Sequence, residues 1–278
     1  MSGSKRVVLR VGVVGLGRLW ETRHKPALMR LRDRFRVTAV YDQVARRAEI
    51  EAAHFSCAAE DGLTALIHRD DVDVVYLMTP QWFGTHAIPL ACAAGKPIYC
   101  ALPLAGELAD LEALAKRIEG AGIPFMPEFA RRFYPATLRL RELLATVLGA
   151  PRLIVGHTRL YGFDRYGTPG PTTQMAPAPL LLDPGGFLLD WCCFLFQGRP
   201  ARLQGWEGVV LPGKEGTSDA DPDFETFVAE FEGGGLAQLS IGRYHRPSWG
   251  DASKFLPAPG FQIFAERGAA WVELPEIG

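Results

Sequence analysis

The chain lacks several features that mark particular classes of protein. Its five cysteines are odd in number and include no Cys-x-x-Cys pair, so we predict neither a disulfide framework nor a metal site. Lysine plus arginine (30) nearly balance aspartate plus glutamate (31), without a long run of one sign. We therefore expect no nucleic acid and no membrane surface as a partner. No uninterrupted apolar stretch approaches the ~20 residues that a membrane-spanning helix needs.

The cysteines also bear on the compartment. Reduced, buried cysteines are typical of cytosolic proteins, so we expect a cytoplasmic location. The opening residues place basic side chains before the apolar run Val7–Gly15, as in a signal peptide, but Arg10 interrupts that run. We interpret the run as the first β-strand.

The 278 residues are enough for two domains. Residues 1–126 alternate short, β-branched apolar runs with helical patterns, for example the predicted strand Val72–Pro80 before a helix that ends at Gly95. Such alternation is typical of a parallel sheet covered on both faces by helices. We predict an N-terminal α/β domain of the Rossmann type with a doubly wound parallel sheet.

Residues 127–278 follow a different pattern. Pro135–Gly149 is predicted as a single helix, and Gly185–Gly198 as a second helical segment. The remaining runs alternate as strands do, and the pair around Gly233–Gly235 predicts a hairpin. We expect a C-terminal α+β domain with a mostly antiparallel open sheet, and a loop over residues 164–179.

A glycine pattern follows the first predicted strand. Gly15-x-Gly17 stands between that strand and a helix predicted over residues 19–34, where a dinucleotide pyrophosphate binds in Rossmann folds. Gly15 permits the tight turn, and Gly17 permits close approach of the backbone to the phosphates. The third position of the fingerprint holds Trp20 instead of glycine.

An acidic residue supports the nucleotide interpretation. Asp42 ends the second predicted strand, where a carboxylate accepts hydrogen bonds from the ribose hydroxyls of NAD. The alternative is that Asp42 only caps the next helix. An acid at this position favours NAD, while Arg46 and Arg47 leave NADP open.

Six segments, in order, carry a family resemblance: VGVVGLGRL, VTAVYD, VVYLMTP, ACAAGKPIYCALPLA, RRFYPATLRLRELLATVLGAPRL and DPGGFLLDWCCFL. Together they resemble the glucose–fructose oxidoreductase/inositol dehydrogenase (Gfo/Idh/MocA) family of NAD(P)-dependent sugar and polyol dehydrogenases. The chain is short for that family. We expect the closing elements of the family, which would follow about Leu274, to be missing. The resemblance implies cofactor contacts at Gly15, Gly17, Arg18, Leu19, Asp42, Thr79, Pro80, His86 and Pro103.

The sequence departs from the family at the positions that handle protons. The Glu-Lys-Pro turn of the family falls on Ala101, Leu102 and Pro103, so its lysine is replaced by leucine. A family histidine four residues after Asp190 is replaced by Phe194. Neither replacement can donate or accept a proton, a role that typically contributes ~10²–10⁴ in rate.

Two functions remain open from the sequence. The first is an oxidoreductase that acts on a small sugar-, polyol- or ketone-like substrate through a non-standard site, with Asp190 as the candidate catalytic residue. Tyr161 and Tyr166, near the long loop, are weaker candidates. The alternative is a catalytically silent dinucleotide- or ligand-binding relative with a sensing or partner-binding role. In either case we expect a homo-oligomer formed through the C-terminal sheet.

Overall fold

A computed structural model describes residues 7–79, 83–101, 108–161, 185–209, 224–244 and 260–273. The chain divides into two compact units, Met1–Glu128 and Phe129–Gly278, called unit 1 and unit 2 below. Several predictions fall outside the described residues: Pro80, Leu102, Pro103, Tyr166 and the loop over residues 164–179.

Unit 1 contains a six-stranded parallel sheet with the strand order β3-β2-β1-β4-β5-β6. This order places β1 and β4 at the centre, which is the doubly wound arrangement predicted from the sequence. The strands are β1 Leu9–Val14, β2 Phe35–Tyr41, β3 Ala58–Ala59, β4 Val74–Leu77, β5 Ile98–Cys100 and β6 Phe125–Pro127.

Helices cover both faces of this sheet. Apolar residues of β1, such as Val13, pack against Trp20 and Leu28 on one face, while Leu66 and Ile88 belong to the core on the other face. The helices are α1 Lys25–Arg30, α2 Ala45–Phe55, α3 Leu63–Ile67, α4 Ala87–Ala93 and α5 Leu108–Ala121. A π-helical turn, Trp20–His24, precedes α1, so the predicted helix over residues 19–34 is split and ends earlier than expected.

Unit 2 contains the second sheet, ordered β12-β11-β7-β10-β9-β8. All neighbouring pairs are antiparallel except β7 with β10, which confirms the predicted mostly antiparallel sheet. The predicted hairpin joins β9 and β10, with Gly233 and Gly234 at positive φ in its turn. The strands are β7 Pro151–Tyr161, β8 Pro200–Gly208, β9 Phe224–Phe231, β10 Leu236–Tyr244, β11 Gly260–Ala265 and β12 Gly268–Val272.

Two helices, α6 Pro135–Leu143 and α7 Gly186–Phe196, pack on one face of the second sheet. The helix predicted over residues 135–149 consists of α6 and a π-helical turn, Leu144–Leu148, which ends at Gly149 with φ of +81°. The opposite face carries exposed aromatic side chains, among them Trp206, Phe264 and Trp271.

Candidate functional site

The glycine loop lies at the carboxyl edge of the unit 1 sheet, between β1 and the turn that precedes α1. Gly15 has a φ of +93°, and a Cβ atom there would lie 2.7 Å from backbone atoms of Met78 and Thr79. Only glycine fits this position, because any side chain would push β1 away from the end of β4. A Cβ on Gly17 would meet no atom within 4 Å, so the loop borders open space where phosphates need close approach.

Asp42 holds this loop from the neighbouring strand. Its Oδ2 accepts a hydrogen bond of 2.8 Å from the Leu16 N–H, and its Oδ1 accepts one of 2.9 Å from the Val44 N–H before α2. The second bond reaches the residue before α2 and not an N–H group of the helix itself, so Asp42 does not cap α2. A carboxylate has about four acceptor sites, so two remain for ribose hydroxyls. Arg47 Nη1 lies 3.8 Å from Asp42 Oδ1.

Trp20 occupies the third fingerprint position with a fully buried side chain. Its indole N–H donates a 3.0 Å hydrogen bond to Glu51 Oε2, and Lys25 Nζ lies 2.6 Å from Glu51 Oε1. The ring also packs against Phe55 at a centroid distance of 5.5 Å. A glycine at this position would allow close backbone packing. Here the hydrogen-bonded indole of Trp20 instead connects the π-helical turn after the loop to α2. Sequence reasoning missed Glu51, because an acid in the middle of a helix gives no sign of burial.

A cavity of about 260 Å³ lies beside the glycine loop. It is lined by Leu16, Gly17, Arg18, Glu21, Arg47, Ile50 and Glu51. Arg18 is exposed and Leu19 is half-buried against the core below. The lining thus includes two of the predicted cofactor residues, Gly17 and Arg18. It also includes Arg47, which bears on the choice between NAD and NADP.

Thr79 follows β4 at the same edge of the sheet, next to Gly15. It is 8% exposed, and within the described part of the chain its hydroxyl has no hydrogen-bond partner. Buried polar groups are nearly always paired, so an unpaired hydroxyl at this edge fits a site for an absent ligand group. His86, by contrast, is exposed at the start of α4, with its ring 6.3 Å from that of Phe83.

A polar cluster that the sequence did not reveal surrounds Glu128, the residue after β6. Its Oε2 lies 2.5 Å from Arg23 Nη2 and 3.4 Å from His24 Nε2, and Tyr99 hydrogen-bonds to the same carboxylate. Burial by itself raises the pKa of Glu128, but the hydrogen bonds and charges of His24, Tyr99 and Arg23 outweigh it and lower the pKa to about 2.

The same cluster includes Tyr99 of β5, which contacts Tyr76 of β4. Burial, together with the Glu128 charge, raises the pKa of Tyr99 well above its ordinary value, so its hydroxyl stays protonated. Tyr99 stacks on Tyr76 with ring centroids 4.7 Å apart.

Lys96, which precedes β5, has a structural role. Its ammonium group donates hydrogen bonds to the backbone carbonyls of Arg69 and Val72.

In unit 2, Asp190 lies on α7 in a two-point ion pair with Arg132. Arg132 Nε donates to Asp190 Oδ2 at 2.8 Å, and Nη2 donates to Oδ1. The hydrogen bonds to Asp190 raise the pKa of Arg132. One turn later, two guanidinium groups approach the Phe194 ring, with Cζ of Arg132 at 5.3 Å and Cζ of Arg141 at 4.4 Å from its centroid.

Three features are absent from the part of the chain that the structure describes. No described helix has both the length and the apolar character needed to cross a bilayer. Across the described ranges, no group of three or more His, Cys, Asp or Glu side chains is placed to hold a metal ion. All five cysteines lie in these ranges, and no disulfide joins any of them.

Comparison with protein families gives a match over unit 1. Residues 9–129 match the model described as "Oxidoreductase family, NAD-binding Rossmann fold". The matched residues include the glycine loop, Asp42, Thr79 and Glu128. They span the whole parallel sheet.

Curated relatives support the same relationship. D-xylose 1-dehydrogenase (NADP(+)) 2 of Haloferax volcanii is 30% identical over 186 residues, which are 65% of this chain and 52% of that protein. Inositol 2-dehydrogenase of Paracoccus denitrificans is 30% identical over 171 residues, 59% of this chain and 49% of that protein. The chain thus spans about half the length of these relatives.

A solved structure shows the fold over nearly the whole chain. A putative myo-inositol dehydrogenase from Sinorhizobium meliloti superposes with a TM-score of 0.77 at 21% identity, and covers 96% of this chain and 76% of the other. The similarity includes unit 2 as well as unit 1, and it confirms the predicted fold class.

Proposed function

We propose that the chain, whose residues 9–129 match the NAD-binding Rossmann model of the Gfo/Idh/MocA oxidoreductases, binds NAD(P) in unit 1 and oxidises or reduces a small sugar-, polyol- or ketone-like substrate. The observation that carries the proposal is the pairing of Gly15, where no side chain fits, with the buried, unpaired hydroxyl of Thr79. The bound nicotinamide would supply the hydride-transfer chemistry.

The residues of unit 1 have separate roles in holding the cofactor. The backbone N–H groups after Gly17, at Arg18 and Leu19, would contact the pyrophosphate. Asp42 would accept ribose hydroxyls, and Thr79 would hydrogen-bond the nicotinamide half. Pro80, Pro103 and His86 complete the set that the family resemblance implies. Residues 1–126 would thus serve the dinucleotide, and residues 127–278 the substrate and assembly.

The preferred cofactor is proposed to be NAD, with NADP possible. The Asp42 side chain is 9% exposed, and its charge would repel a 2′-phosphate. Arg47 lies close enough to Asp42 to offset part of that repulsion. Both cofactors occur in the family, since the Haloferax volcanii relative is named for NADP(+).

Proton transfer would rest on Asp190, because Leu102 and Phe194 stand where the family has lysine and histidine. The ion pair with Arg132 holds the Asp190 carboxylate in one orientation, with lone pairs left for a substrate hydroxyl. Because each oxygen of the carboxylate already accepts a hydrogen bond from Arg132, we expect slow turnover.

The alternative proposal is a catalytically silent relative that binds a dinucleotide or sugar-like ligand for sensing or partner binding. It is favoured by the surroundings of α7, where Asp190 is paired with Arg132 and two guanidinium groups approach Phe194. Both proposals place the cofactor in unit 1 and differ only in turnover.

Titration with NADH tests the part that both proposals share. Binding followed by fluorescence should be weakened by Gly17→Val, which fills the open space of the loop. Gly62→Val is the matched control, because a Cβ there also meets no atom within 4 Å but lies outside the cavity. Absence of NADH binding at millimolar concentration would reject both proposals.

Turnover separates the two proposals. Hydride transfer is measured with NAD and NADP over a panel of sugars, polyols and small ketones. Where activity is found, Asp190→Asn should lower kcat by ~10²-fold or more, as loss of a proton acceptor does. Glu142→Gln, an exposed acid paired with Arg139, is the control. Binding of NADH without turnover on any member of the panel favours the silent relative.

A further inference from the structure

A second cavity, of about 420 Å³, lies within unit 2, where the π-helical turn after α6 and the carboxyl end of α7 meet the β11–β12 turn. Its volume is in the range of pockets that hold small organic ligands. Arg141 and Arg267 are among its lining residues, and none of the described residues that line it is acidic. Nothing in the proposed dehydrogenase function uses this cavity.

The charges around the cavity do not cancel. Glu266 adjoins it and pairs with Arg152 at 2.5 Å, while Glu142 of α6 pairs with Arg139 and not with Arg141. The Ala150 N–H and Arg152 hold the pKa of Glu266 below its ordinary value, so it is ionised at neutral pH. The net charge beside the cavity is therefore +2, from three arginines (Arg141, Arg152 and Arg267) and one glutamate (Glu266).

Helix carboxyl ends normally disfavour anions, because their last carbonyl groups carry partial negative charge. Here, several of those carbonyl groups already accept hydrogen bonds. Arg267 donates from Nε to the Val147 carbonyl and from its backbone N–H to the Leu148 carbonyl, both at 2.8 Å. The Gly198 N–H donates to the Cys193 carbonyl at the end of α7.

The two arginines retain donors for a ligand. Only Nε of Arg267 is used for the Val147 carbonyl, so its two terminal nitrogens remain. Arg141 has its guanidinium Cζ 4.4 Å from the centre of the Phe194 ring, and no described residue accepts a hydrogen bond from the N–H groups at its edge. Each edge matches the oxygen pair of a carboxylate or phosphate.

We propose that this cavity binds a small organic anion with at least two negative charges, a phosphate monoester or a di- or tricarboxylate. Arg141 and Arg267 bind its charged groups, and the Gln197 amide and the Phe196 ring border the remainder. The site belongs to unit 2 alone and does not depend on the proposed dehydrogenase function.

Calorimetric titration of the full chain with citrate and with glycerol 3-phosphate tests the proposal, with glycerol as the uncharged control. Citrate or glycerol 3-phosphate should bind and glycerol should not. Arg141→Met should weaken binding about tenfold or more, since a charge-assisted contact is lost. Arg139→Met is the matched control, because Arg139 lies on the same helix but pairs with Glu142. The affinity of this variant for both anions should equal that of the parent chain.

Two further measurements guard the interpretation. Ala145→Trp fills the cavity from an exposed position without removing charge, so it should also abolish binding and tests the site even if Arg141→Met disturbs folding. Titrations with either anion are repeated at saturating NADH, which shows whether the anion and the cofactor bind at the same site. Displacement by NADH, equal affinity in Arg141→Met and the parent chain, or no binding of either anion at millimolar concentration would overturn the proposal.

Discussion

Thr79 ends β4 with a buried hydroxyl that has no partner among the described residues. Thr79→Val removes the hydroxyl at nearly constant shape, so the cofactor-free protein should be as stable as before or more stable. NADH binding should weaken about 2- to 10-fold, because one neutral hydrogen bond is worth about 0.5–1.5 kcal/mol. Thermal melting and NADH titration measure the two effects, and Thr79→Ser is the control. Unchanged NADH affinity would remove Thr79 from the site.

Phe194 offers a second test at a single residue. A histidine placed there would lie close to the guanidinium groups of Arg132 and Arg141. Both cations disfavour a protonated imidazole and outnumber the Asp190 carboxylate one turn earlier, which is already paired with Arg132, so the pKa of Phe194→His should fall below the ~6.5 of a free histidine. NMR titration of the ring protons measures this pKa. A value above 6.5 would show that the two guanidinium groups do not face the ring in solution.

Among the elements of unit 1, the turn Trp20–His24 is joined to the end of β6 through Glu128. The pKa of Glu128 falls from an ordinary 4.5 to about 2 on folding, so its ionised form stabilises the fold. That contribution is present above about pH 4.5 and is lost as pH falls towards 2. It is of order 3 kcal/mol, because one pKa unit corresponds to about 1.4 kcal/mol. Denaturant unfolding from pH 5 to pH 2 should show a smaller fall for Glu128→Gln than for the parent chain.

The strands β8 and β9 of unit 2 should behave in the opposite way. Glu225 is buried, lies opposite Glu207, and has one carboxylate oxygen without a hydrogen-bond partner in the described part of the chain. Burial, with the Glu207 charge, raises the pKa of Glu225 from an ordinary 4.5 to about 7. Its protonated form is therefore favoured by folding, and this stabilisation is lost as pH rises from about 4.5 to 7.

Glu225→Gln should remove this dependence and raise the free energy of unfolding at pH 8 by a few kcal/mol. Glu230→Gln is the control, since Glu230 lies on the same strand but is exposed. Urea unfolding at pH 5 and pH 8 makes the comparison. A stabilisation equal at both pH values would contradict the raised pKa.

At the scale of the whole molecule, the open face of the second sheet is the proposed surface for self-association. Trp271 and Phe264 are 52% and 42% exposed on the face that the helices leave uncovered. Changing both to lysine should raise the dimer dissociation constant at least 100-fold, since central aromatic contacts contribute about 2–4 kcal/mol each. Leu203→Lys is the control, because Leu203 is similarly exposed but pairs with Ala229, which lies on the helix-covered face. Sedimentation at several concentrations measures the constant, and a monomeric parent chain would reject the proposal.

The fold was predictable because strand–helix alternation and the hairpin glycines are local patterns. The placement of Gly15, Gly17 and Asp42 at one edge of the sheet was predictable for the same reason, since their spacing follows from one strand–helix–strand unit. Glu51 and Glu128 were not, because their partners Trp20 and Arg23 are distant in sequence and only the folded chain brings them together. The two π-helical turns were missed because each continues an ordinary helical pattern.

The buried indole of Trp20 has an optical consequence. It is fixed by Glu51 directly below the loop where the cofactor is proposed to bind, and its emission overlaps the absorption band of a reduced nicotinamide. Energy transfer from Trp20 should therefore quench tryptophan emission when NADH binds. The chain has six tryptophans, and Trp20→Phe would show what share of the quenching belongs to this one. The side chain that replaces the third glycine thus gives the loop a built-in reporter of its own occupancy.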